Sequence, residues 1–257
     1  MKALRVDQLS RRFGGVYAVR DVTFQVEAGE LRGLIGPNGA GKSTLFNLIA
    51  GHLRADGGQV SLGGESIDRL RPEQRAAHGI AIVYQSARIF RGMSVRENVM
   101  VGAHARTRHG FFEAALRLPR CRREDEDTRA RADALLEQVG LGGLGDRPAE
   151  SLPLGQQRSM QLARALSAEP AVLLLDEPAS GLREGERQHL VRLMRELRSR
   201  GLTQVLIEHD VPLVTSLADT ITVLDLGKVI AEGSSASIRK NPAVIQAYLG
   251  STEESPS

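Results

Sequence analysis

The sequence predicts an α/β fold, with antiparallel strands at its start, a parallel sheet in its core and an inserted helical segment. Near the start, Val22, Phe24 and Val26 alternate with polar residues, which is the period of a half-buried strand. Two later runs, 171–175 and 205–207, are wholly apolar and are followed by acidic residues. Such continuous runs are typical of strands covered on both faces, as in a parallel sheet.

The first half of the chain gives the order of these elements. Strands are predicted at 4–9 and 22–26, followed by a short strand at 31–35. A glycine-rich loop then leads into a helix at 42–50, which Gly51 is placed to end. Another strand is predicted at 80–84. Between about 94 and 166 the apolar spacing becomes helical.

The second half returns to alternating strands and helices. A helix is predicted at 185–200 and a closing hairpin from 220–224 and 229–231. Asn241 and Pro242 have the cap and first-turn preferences of a helix start. The polar tail at 251–257 predicts no fixed structure.

Composition limits the class of protein. Of the 257 residues, 41% are hydrophobic and 25% charged, a globular balance that suits one or two domains. The single cysteine, Cys121, excludes an intramolecular disulfide and a multi-cysteine zinc site, and it suits a reducing cytosol. No apolar run reaches the roughly 18 residues of a membrane helix, and the first residues carry no secretory signal. We therefore expect a soluble intracellular protein.

The charge is basic but does not predict nucleic-acid binding. The net charge is +3 and the sequence pI is about 9.3. Nucleic-acid binding requires a clustered basic patch with stacking aromatics, whereas aromatics are only 4% of this chain. Eight arginines stand against five acidic residues in 106–131, which is either a solvated helical hairpin or a face that docks a partner.

The glycine-rich loop carries the clearest chemistry. Gly36-x-x-x-x-Gly41-Lys42-Ser43 matches the P-loop pattern and lies between a predicted strand and a predicted helix. Its backbone N–H groups and the helix N-terminus can bind phosphate oxygens, Lys42 can reach the β- and γ-phosphates, and the Ser43 hydroxyl can ligate Mg²⁺. The predicted nucleotide-binding residues here are Gly36, Pro37, Asn38, Gly39, Ala40, Gly41, Lys42, Ser43 and Thr44.

An acidic pair follows the apolar run at 171–175. Asp176 at the end of a strand can hold Mg²⁺, and Glu177 beside it can deprotonate the attacking water. Without the P-loop, a strand-end acidic pair before Pro178 would be read as the start of a turn. With the P-loop present, we interpret Glu177 as the general base.

Together these motifs resemble the nucleotide-binding subunits of ABC transporters, and the resemblance covers about residues 4–250. Gly36–Thr44 matches the Walker A motif and 173–178 the Walker B motif with its catalytic glutamate. The family's remaining motifs match at Gln85, His209 and Phe13.

The resemblance implies roles that the residues alone would not suggest. Gln85 senses Mg²⁺ and the attacking water, His209 contacts the γ-phosphate, and Phe13 stacks on adenine. On the residues alone, Gln85 would be a surface loop residue and His209 a core or strand-end histidine. Phe13 would be a core residue, and Tyr17 is a rival for the stacking role.

The signature loop departs from the family pattern. Most members read Leu-Ser-Gly-Gly-Gln, whereas this chain has Leu152-Pro153-Leu154-Gly155-Gln156. Pro153 lacks both a hydroxyl and an N–H group. Gly155 and Gln156, with the helix predicted from 156 to 166, keep part of the anion site. Since Arg183 also replaces an aspartate of the family, we expect slower turnover of the ATP that this loop covers.

The chain most resembles the ATP-binding subunit of branched-chain amino acid importers. Matches at 90–98 and 241–250, together with the basic insertion, carry this finer resemblance. It implies a peripheral ATPase on the cytoplasmic face of the plasma membrane, with ATP and Mg²⁺ as cofactors. The implied partners are a second ABC ATPase, in a hetero- or homodimer, two transmembrane permeases and, indirectly, a solute-binding protein, but no nucleic acid.

Other functions remain open from the sequence. Importers of urea or other small solutes would carry much the same motifs. A non-transport ABC ATPase that acts on ribosomes or DNA usually has two cassettes or a long coiled-coil insertion. The Pro153 departure also suggests an ATP-binding regulatory module with little hydrolysis. We predict one ABC ATPase domain at 1–250, with a core lobe at about 1–88 and 163–250 and a helical lobe at about 89–162.

Overall fold

The computed structural model describes residues 2–103 and 119–250 of the chain. The predicted polar tail and part of the arginine-rich segment 106–131 lie outside these residues. The described strands are β1 (Leu4–Phe13), β2 (Val16–Val26), β3 (Leu31–Ile35), β4 (Gly57–Leu62), β5 (Glu65–Ser66), β6 (Ile80–Val83), β7 (Val172–Asp176), β8 (Thr203–Ile207), β9 (Thr220–Asp225) and β10 (Lys228–Gly233).

Helices alternate with the later strands, as the sequence predicted. They are α1 (Lys42–Ala50), α2 (Pro72–Ala77), α3 (Val95–Ala103), α4 (Pro119–Gln138), α5 (Leu154–Ser167), α6 (Glu184–Ser199), α7 (Val211–Leu217), α8 (Ser235–Arg239) and α9 (Pro242–Gly250). None of the helices in the described ranges is both long enough and apolar enough to cross a membrane.

The chain divides into two compact units. The described residues of the first unit are 2–82, 171–178 and 194–250, and those of the second are 83–103, 119–170 and 179–193. The segment 179–193, which contains the first part of α6, therefore groups with the second unit.

The first unit contains two sheets. The N-terminal sheet has the order β2-β1-β4-β5 with antiparallel pairs. The sequence predicted antiparallel strands in the region of β1 and β2 but gave no prediction for β4 and β5. The larger sheet has the order β10-β9-β3-β8-β7-β6. Its β7–β8, β8–β3 and β3–β9 pairs are parallel, and the β9–β10 hairpin is antiparallel. All five residues of β3 are buried, which explains its nearly continuous apolar sequence.

The register of the parallel strands places three chain segments at one edge. Ile207 pairs with Leu34 of β3 on one side and with Asp176 of β7 on the other. The segments that follow β3, β7 and β8 therefore leave the sheet side by side. In open parallel sheets this carboxyl edge is where ligands bind.

The second unit is mainly helical. Helices α3, α4 and α5 pack against one another, and their buried apolar residues include Val99, Leu136 and Met160. Helix α5 begins at Leu154, two residues before the predicted start at 156, so Gly155 lies in its first turn.

Helix ends in the first unit follow the predicted caps. Gly51 adopts φ +85° at the end of α1, a left-handed conformation that glycine accepts without strain. The side-chain oxygen of Asn241 accepts a 2.9 Å hydrogen bond from the N–H of Ala243 in the first turn of α9. The predicted strand at 80–84 ends one residue earlier, at Val83.

Candidate nucleotide-binding site

The P-loop connects β3 to α1 in the first unit, and two of its glycines are sterically required. A Cβ atom at Gly36 would lie 2.1 Å from the carbonyl oxygen of Leu224, and one at Gly41 would lie 2.1 Å from that of Ala18. Both glycines have positive φ, +153° and +97°. Any larger residue at either position would therefore push the loop away from its neighbours.

Backbone hydrogen bonds from two other segments hold the P-loop. The N–H of Gly227, in the β9–β10 turn, donates to the carbonyl of Ala40 at 3.0 Å. The carbonyl of Gly227 accepts from the N–H of Arg20 in β2 at 2.7 Å. The loop is thus tied to both sheets of the first unit, which fixes its conformation before a phosphate binds.

Lys42 begins α1 and reaches back across the loop. Its ammonium donates to the carbonyl oxygens of Gly36 at 2.7 Å and Pro37 at 2.8 Å. Burial lowers the pKa of Lys42, while the carboxylates of Glu177 and Asp176 raise it. The ammonium therefore lies inside the loop and in the field of both carboxylates.

Asp176 ends β7 and carries a perturbed carboxyl group. Burial raises the pKa of Asp176, the charge of Glu177 raises it further, and Lys42 lowers it. Glu177 follows with φ +46°, a left-handed conformation that is uncommon for a residue with a side chain. Its N–H donates to the carbonyl of Ile207 at 2.9 Å, and this bond stabilises the unusual backbone.

His209 lies at the end of the neighbouring strand β8. Its Nδ1 atom is 3.6 Å from Oε2 of Glu177 and 3.7 Å from Oε2 of Glu208. The side chain of His209 is 61% exposed, whereas that of Glu208 is only 1% exposed. One imidazole nitrogen therefore lies close to two carboxylates, while much of the side chain remains accessible.

The residues available for Mg²⁺ are few but suitable. Ser43, at the second position of α1, is exposed, and Asp176 is partly exposed. No group of three or more His, Cys, Asp or Glu side chains that could hold a metal occurs among residues 2–103 and 119–250. Mg²⁺ at nucleotide sites needs only one or two protein ligands because phosphates and water supply the others. The hydroxyl and carboxylate here fit that requirement.

Phe13 and Tyr17 flank the β1–β2 turn, and both rings are partly exposed, by 46% and 41%. The guanidinium of Arg11 lies 4.9 Å from the Phe13 ring centroid. Two guanidinium groups, of Arg12 and Arg20, lie 5.3 and 5.2 Å from the Tyr17 ring centroid. More guanidinium groups thus surround the ring of Tyr17 than that of Phe13. Phe13 is therefore the better candidate to stack on the adenine base.

The other predicted site residues belong to the second unit. Gln85 is exposed just after β6. Gly155 lies in the first turn of α5, where an added Cβ would be 2.2 Å from a carboxylate oxygen of Glu186, and Gln156 follows it. Pro153 precedes the helix without a side-chain cap, and Leu154 is 54% exposed.

Comparison with known families identifies the chain. Residues 19–180 match the family model described as ABC transporter, which spans more than half of the protein. The chain belongs to the ABC transporter family. A second model, described as Branched-chain amino acid ATP-binding cassette transporter, matches residues 228–254 of this ABC cassette.

Individual relatives agree with this assignment. The cassette is 40% identical over 248 residues to the high-affinity branched-chain amino acid transport ATP-binding protein LivG of Escherichia coli, covering 96% of this chain and 97% of LivG. The same identity and coverages hold for BraF of Pseudomonas aeruginosa, which bears the same description. A crystal structure of the ADP conformation of an ATP-binding cassette of an ABC transporter matches with a TM-score of 0.83 and 30% identity, covering 97% of this chain and 99% of that one.

The structure of this ABC cassette adds residues that the sequence did not assign to the site. The carboxylate of Glu208 is nearly fully buried and lies 3.7 Å from Nδ1 of His209. In the sequence, only the fact that Glu208 directly precedes His209 linked it to the site. Ala18 and Gly227 press against the P-loop from segments far away in sequence. No local pattern predicts these contacts, because they depend on which strands become neighbours.

Proposed function

We propose that this ABC ATPase powers an importer of branched-chain or other hydrophobic amino acids and uses Mg²⁺ as its cofactor. The observation that carries the proposal is the arrangement of Asp176, Glu177 and His209 at the carboxyl ends of adjacent parallel strands, with Lys42 of the P-loop in the field of both carboxylates of the acidic pair. Their electrostatic coupling and the 3.6 Å approach of His209 to Glu177 suit hydrolysis of a phosphoanhydride.

The P-loop binds the triphosphate. Its left-handed glycines turn backbone N–H groups toward phosphate oxygens, and the N-terminus of α1 adds a favourable dipole. Lys42 already holds its ammonium on the carbonyls of Gly36 and Pro37 and can exchange them for β- and γ-phosphate oxygens. Pro37, Asn38, Gly39, Ala40 and Thr44 complete the predicted phosphate contacts.

Glu177 acts as the general base toward the attacking water. Its fixed backbone, bonded to Ile207, directs the carboxylate, and His209 lies beside the same carboxylate. His209 contacts the γ-phosphate and holds the water and Glu177 in a productive geometry. Both groups lie on rigid strand ends, so little reorganisation precedes the proton transfer.

Mg²⁺, when bound, neutralises phosphate charge and polarises the γ-phosphoryl group. In this chain the Ser43 hydroxyl, Asp176 and Gln85 would hold it. Burial and the charge of Glu177 raise the pKa of Asp176, so a bound cation would favour its ionised form.

Two further contacts are proposed, one with the adenine of the bound ATP and one with the ATP of a partner subunit. Phe13 stacks on adenine from the β1–β2 turn. Gly155 and Gln156, in the first turn of α5, contact the γ-phosphate of ATP held by a partner ATPase. Pro153 contributes neither a hydroxyl nor an N–H there, so that ATP turns over more slowly.

The amino acid class is supported by the relatives and by the match at residues 228–254. On this proposal the chain acts at the cytoplasmic face of the plasma membrane. It works with a second ABC ATPase, two transmembrane permeases and a solute-binding protein. The predicted core lobe, at about 1–88 and 163–250, would hold ATP, and the helical lobe, at about 89–162, would face the permeases.

The Glu177→Gln variant tests the proposed hydrolysis. We expect ATP turnover to fall at least 100-fold, because the general base contributes roughly 10²–10⁴-fold, while ATP affinity stays within threefold. Glu65→Gln, at an exposed position in β5, is the matched control and should keep the wild-type rate. Wild-type turnover in Glu177→Gln would overturn the assignment of the base.

Reconstitution tests the transported solute. The ATPase would be purified with the permeases and second ATPase that co-purify with it, and then placed in vesicles with the matching binding protein. Leucine should stimulate ATP hydrolysis and be taken up, whereas urea should do neither. If urea alone stimulated hydrolysis, the solute would be urea and the amino acid proposal would be wrong. Co-purification with ribosomes or DNA in place of permeases would overturn a transport role.

A further inference from the structure

We propose that a cavity in the first unit, at the C-terminal end of α1, binds a small organic phosphate. This basic cavity is lined by the end of α1, the start of β4 and the segment 68–75. Its volume is about 570 Å³, which lies within the usual range for small-molecule sites.

The basic cavity is separate from the phosphate loop. Helix α1 starts with Lys42 in the loop, while Leu48 and Gly51 at its other end line the cavity. A helix rises about 1.5 Å per residue, so the nine residues of α1 separate the two places by roughly 13 Å. A ligand in the cavity would therefore not compete directly for the phosphate loop.

The charge of the lining is positive. Four arginines line the cavity against two carboxylates, Asp56 and Asp68. Asp56 already accepts from the N–H of Arg12 at 2.7 Å and from the guanidinium of Arg11 at 2.8 Å. Asp68 accepts from the N–H of Val60 and from the hydroxyl of Ser66, both at 2.8 Å. Both carboxylates are thus engaged by partners of their own.

Arg75 provides a fixed positive charge in the wall. Its side chain is buried, and its guanidinium donates to the carbonyls of Leu48 and Ile49 at 2.7 Å and to that of Leu70 at 3.1 Å. Burial lowers the pKa of Arg75, and only the charge of Asp68 acts against it. Carbonyl oxygens satisfy its hydrogen bonds but carry no full negative charge, so Arg75 contributes its positive charge to the wall.

Arg54 and Arg69 supply guanidinium groups at the cavity mouth. Both residues are exposed, and neither guanidinium has an ion pair or side-chain hydrogen bond within residues 2–103 and 119–250. A guanidinium matches phosphate geometry with two parallel N–H donors. Each of these side chains can therefore donate to a phosphate in the cavity without breaking a hydrogen bond or ion pair within the described residues.

Part of the cavity wall is apolar. Leu53, Leu70 and Pro72 line it and are each partly exposed, so a ligand can contact them. A wall of this kind favours a ligand with an apolar part next to its charge. The lining as a whole thus selects a phosphate monoester with an apolar group over inorganic phosphate.

Binding of 4-fluorophenyl phosphate tests the proposal. The full chain would first be saturated with ADP and Mg²⁺, with ADP binding confirmed by calorimetry, and the probe would then be titrated by ¹⁹F NMR. We expect saturable, submillimolar binding, at least tenfold weaker binding of inorganic phosphate, and no binding of 4-fluorobenzyl alcohol. Absence of probe binding to the ADP-loaded protein would overturn the site, and equal binding of inorganic phosphate would overturn the ligand class.

Variants locate the probe. Arg54→Gln with Arg69→Gln should weaken binding at least tenfold, because both guanidinium groups lose their charge-assisted hydrogen bonds to the phosphate. Arg5→Gln, which removes an exposed arginine of β1 outside the cavity, should stay within twofold of wild type. Because both cavity arginines are exposed, the double variant should keep its melting temperature, and Arg54→Lys with Arg69→Lys should retain part of the affinity. Unchanged binding in the glutamine double variant would overturn the proposal.

Discussion

The Nδ1 atom of His209 lies 3.6 Å from Oε2 of Glu177, although 32 positions separate the two residues in the sequence. The contact exists because β7 and β8 are parallel neighbours and Asp176 pairs with Ile207. Each side chain follows its strand by one or two residues, so the register alone brings them together. A shift of one residue in this register would turn every side chain of the strand to the other face.

Replacing His209 with alanine tests this relationship. We expect kcat to fall at least tenfold, because Glu177 and the attacking water lose the group that positions them, while the KM for ATP changes less than threefold. Steady-state ATPase kinetics would measure both. His78→Ala, at the exposed end of α2, is the control and should keep both parameters. A larger effect on KM than on kcat would place His209 in ground-state binding instead.

Gly41→Ala should disrupt the phosphate loop. The new Cβ would lie 2.1 Å from the carbonyl oxygen of Ala18, and φ at this position is +97°. We expect a loss of roughly 3–5 kcal/mol in the free energy of unfolding, a size typical of severe steric strain, and a loss of ADP binding by calorimetry.

The Gly64→Ala variant measures the cost of a left-handed alanine without a steric clash, and it is the control for Gly41→Ala. Gly64 also has positive φ, +88°, but an added Cβ meets nothing within 4 Å. This variant should lose only about 1–2 kcal/mol, the cost of a left-handed alanine, and should bind ADP normally. Equal losses in the two variants would show that the contact with Ala18 has no importance.

Alanine substitutions at Phe13 and Tyr17 distinguish the two candidate stacking residues. Phe13→Ala should weaken ATP binding about tenfold, since stacking of a base on an aromatic ring is worth roughly 1–3 kcal/mol. Tyr17→Ala should change the affinity less than twofold, because arginines already cover that ring. Calorimetric titration with ATP would measure both. The reverse order of effects would assign adenine to Tyr17.

Asp56 should make a pH-dependent contribution to stability. The N–H of Arg12, and then the guanidinium of Arg11, hold the pKa of Asp56 below its ordinary value of 3.8. A lowered pKa in the folded state stabilises the protein above pH 3.8, and this contribution is lost as the pH falls through the folded-state pKa. Asp56→Asn should therefore lower the melting temperature at pH 7 and show a shrinking deficit below about pH 4.

Melting curves between pH 3 and pH 7 would measure this deficit. Glu150→Gln, at an exposed position, is the control and should show no such trend. A deficit that grows as the pH falls from 4 to 3 would contradict the assignment, because protonation of Asp56 removes the charge on which its contribution depends.

Much of the fold follows from local patterns. The bounds of β3 and α1 agree with the predictions at 31–35 and 42–50. A buried apolar run and an amphipathic helix that ends at a glycine are both short-range signals. The start of α5 was predicted two residues late. Pro153 is compatible with the position just before a helix, so it provides no sharper boundary there.

The sequence by itself determined that this protein has a phosphate loop and a strand-end acidic pair, and it predicted the order of many, but not all, of the strands and helices. These depend on residue type and spacing within about ten positions, and that is the range over which backbone preference and periodicity act. Only the tertiary structure decided that the His209 side chain lies near the carboxylates of Glu177 and Glu208, that Ala18 and Gly227 press on the loop, and that 179–193 groups with the helical unit. Each of these depends on which strands pair and in which register, and the free energy that selects the pairing comes from burial shared across the whole sheet.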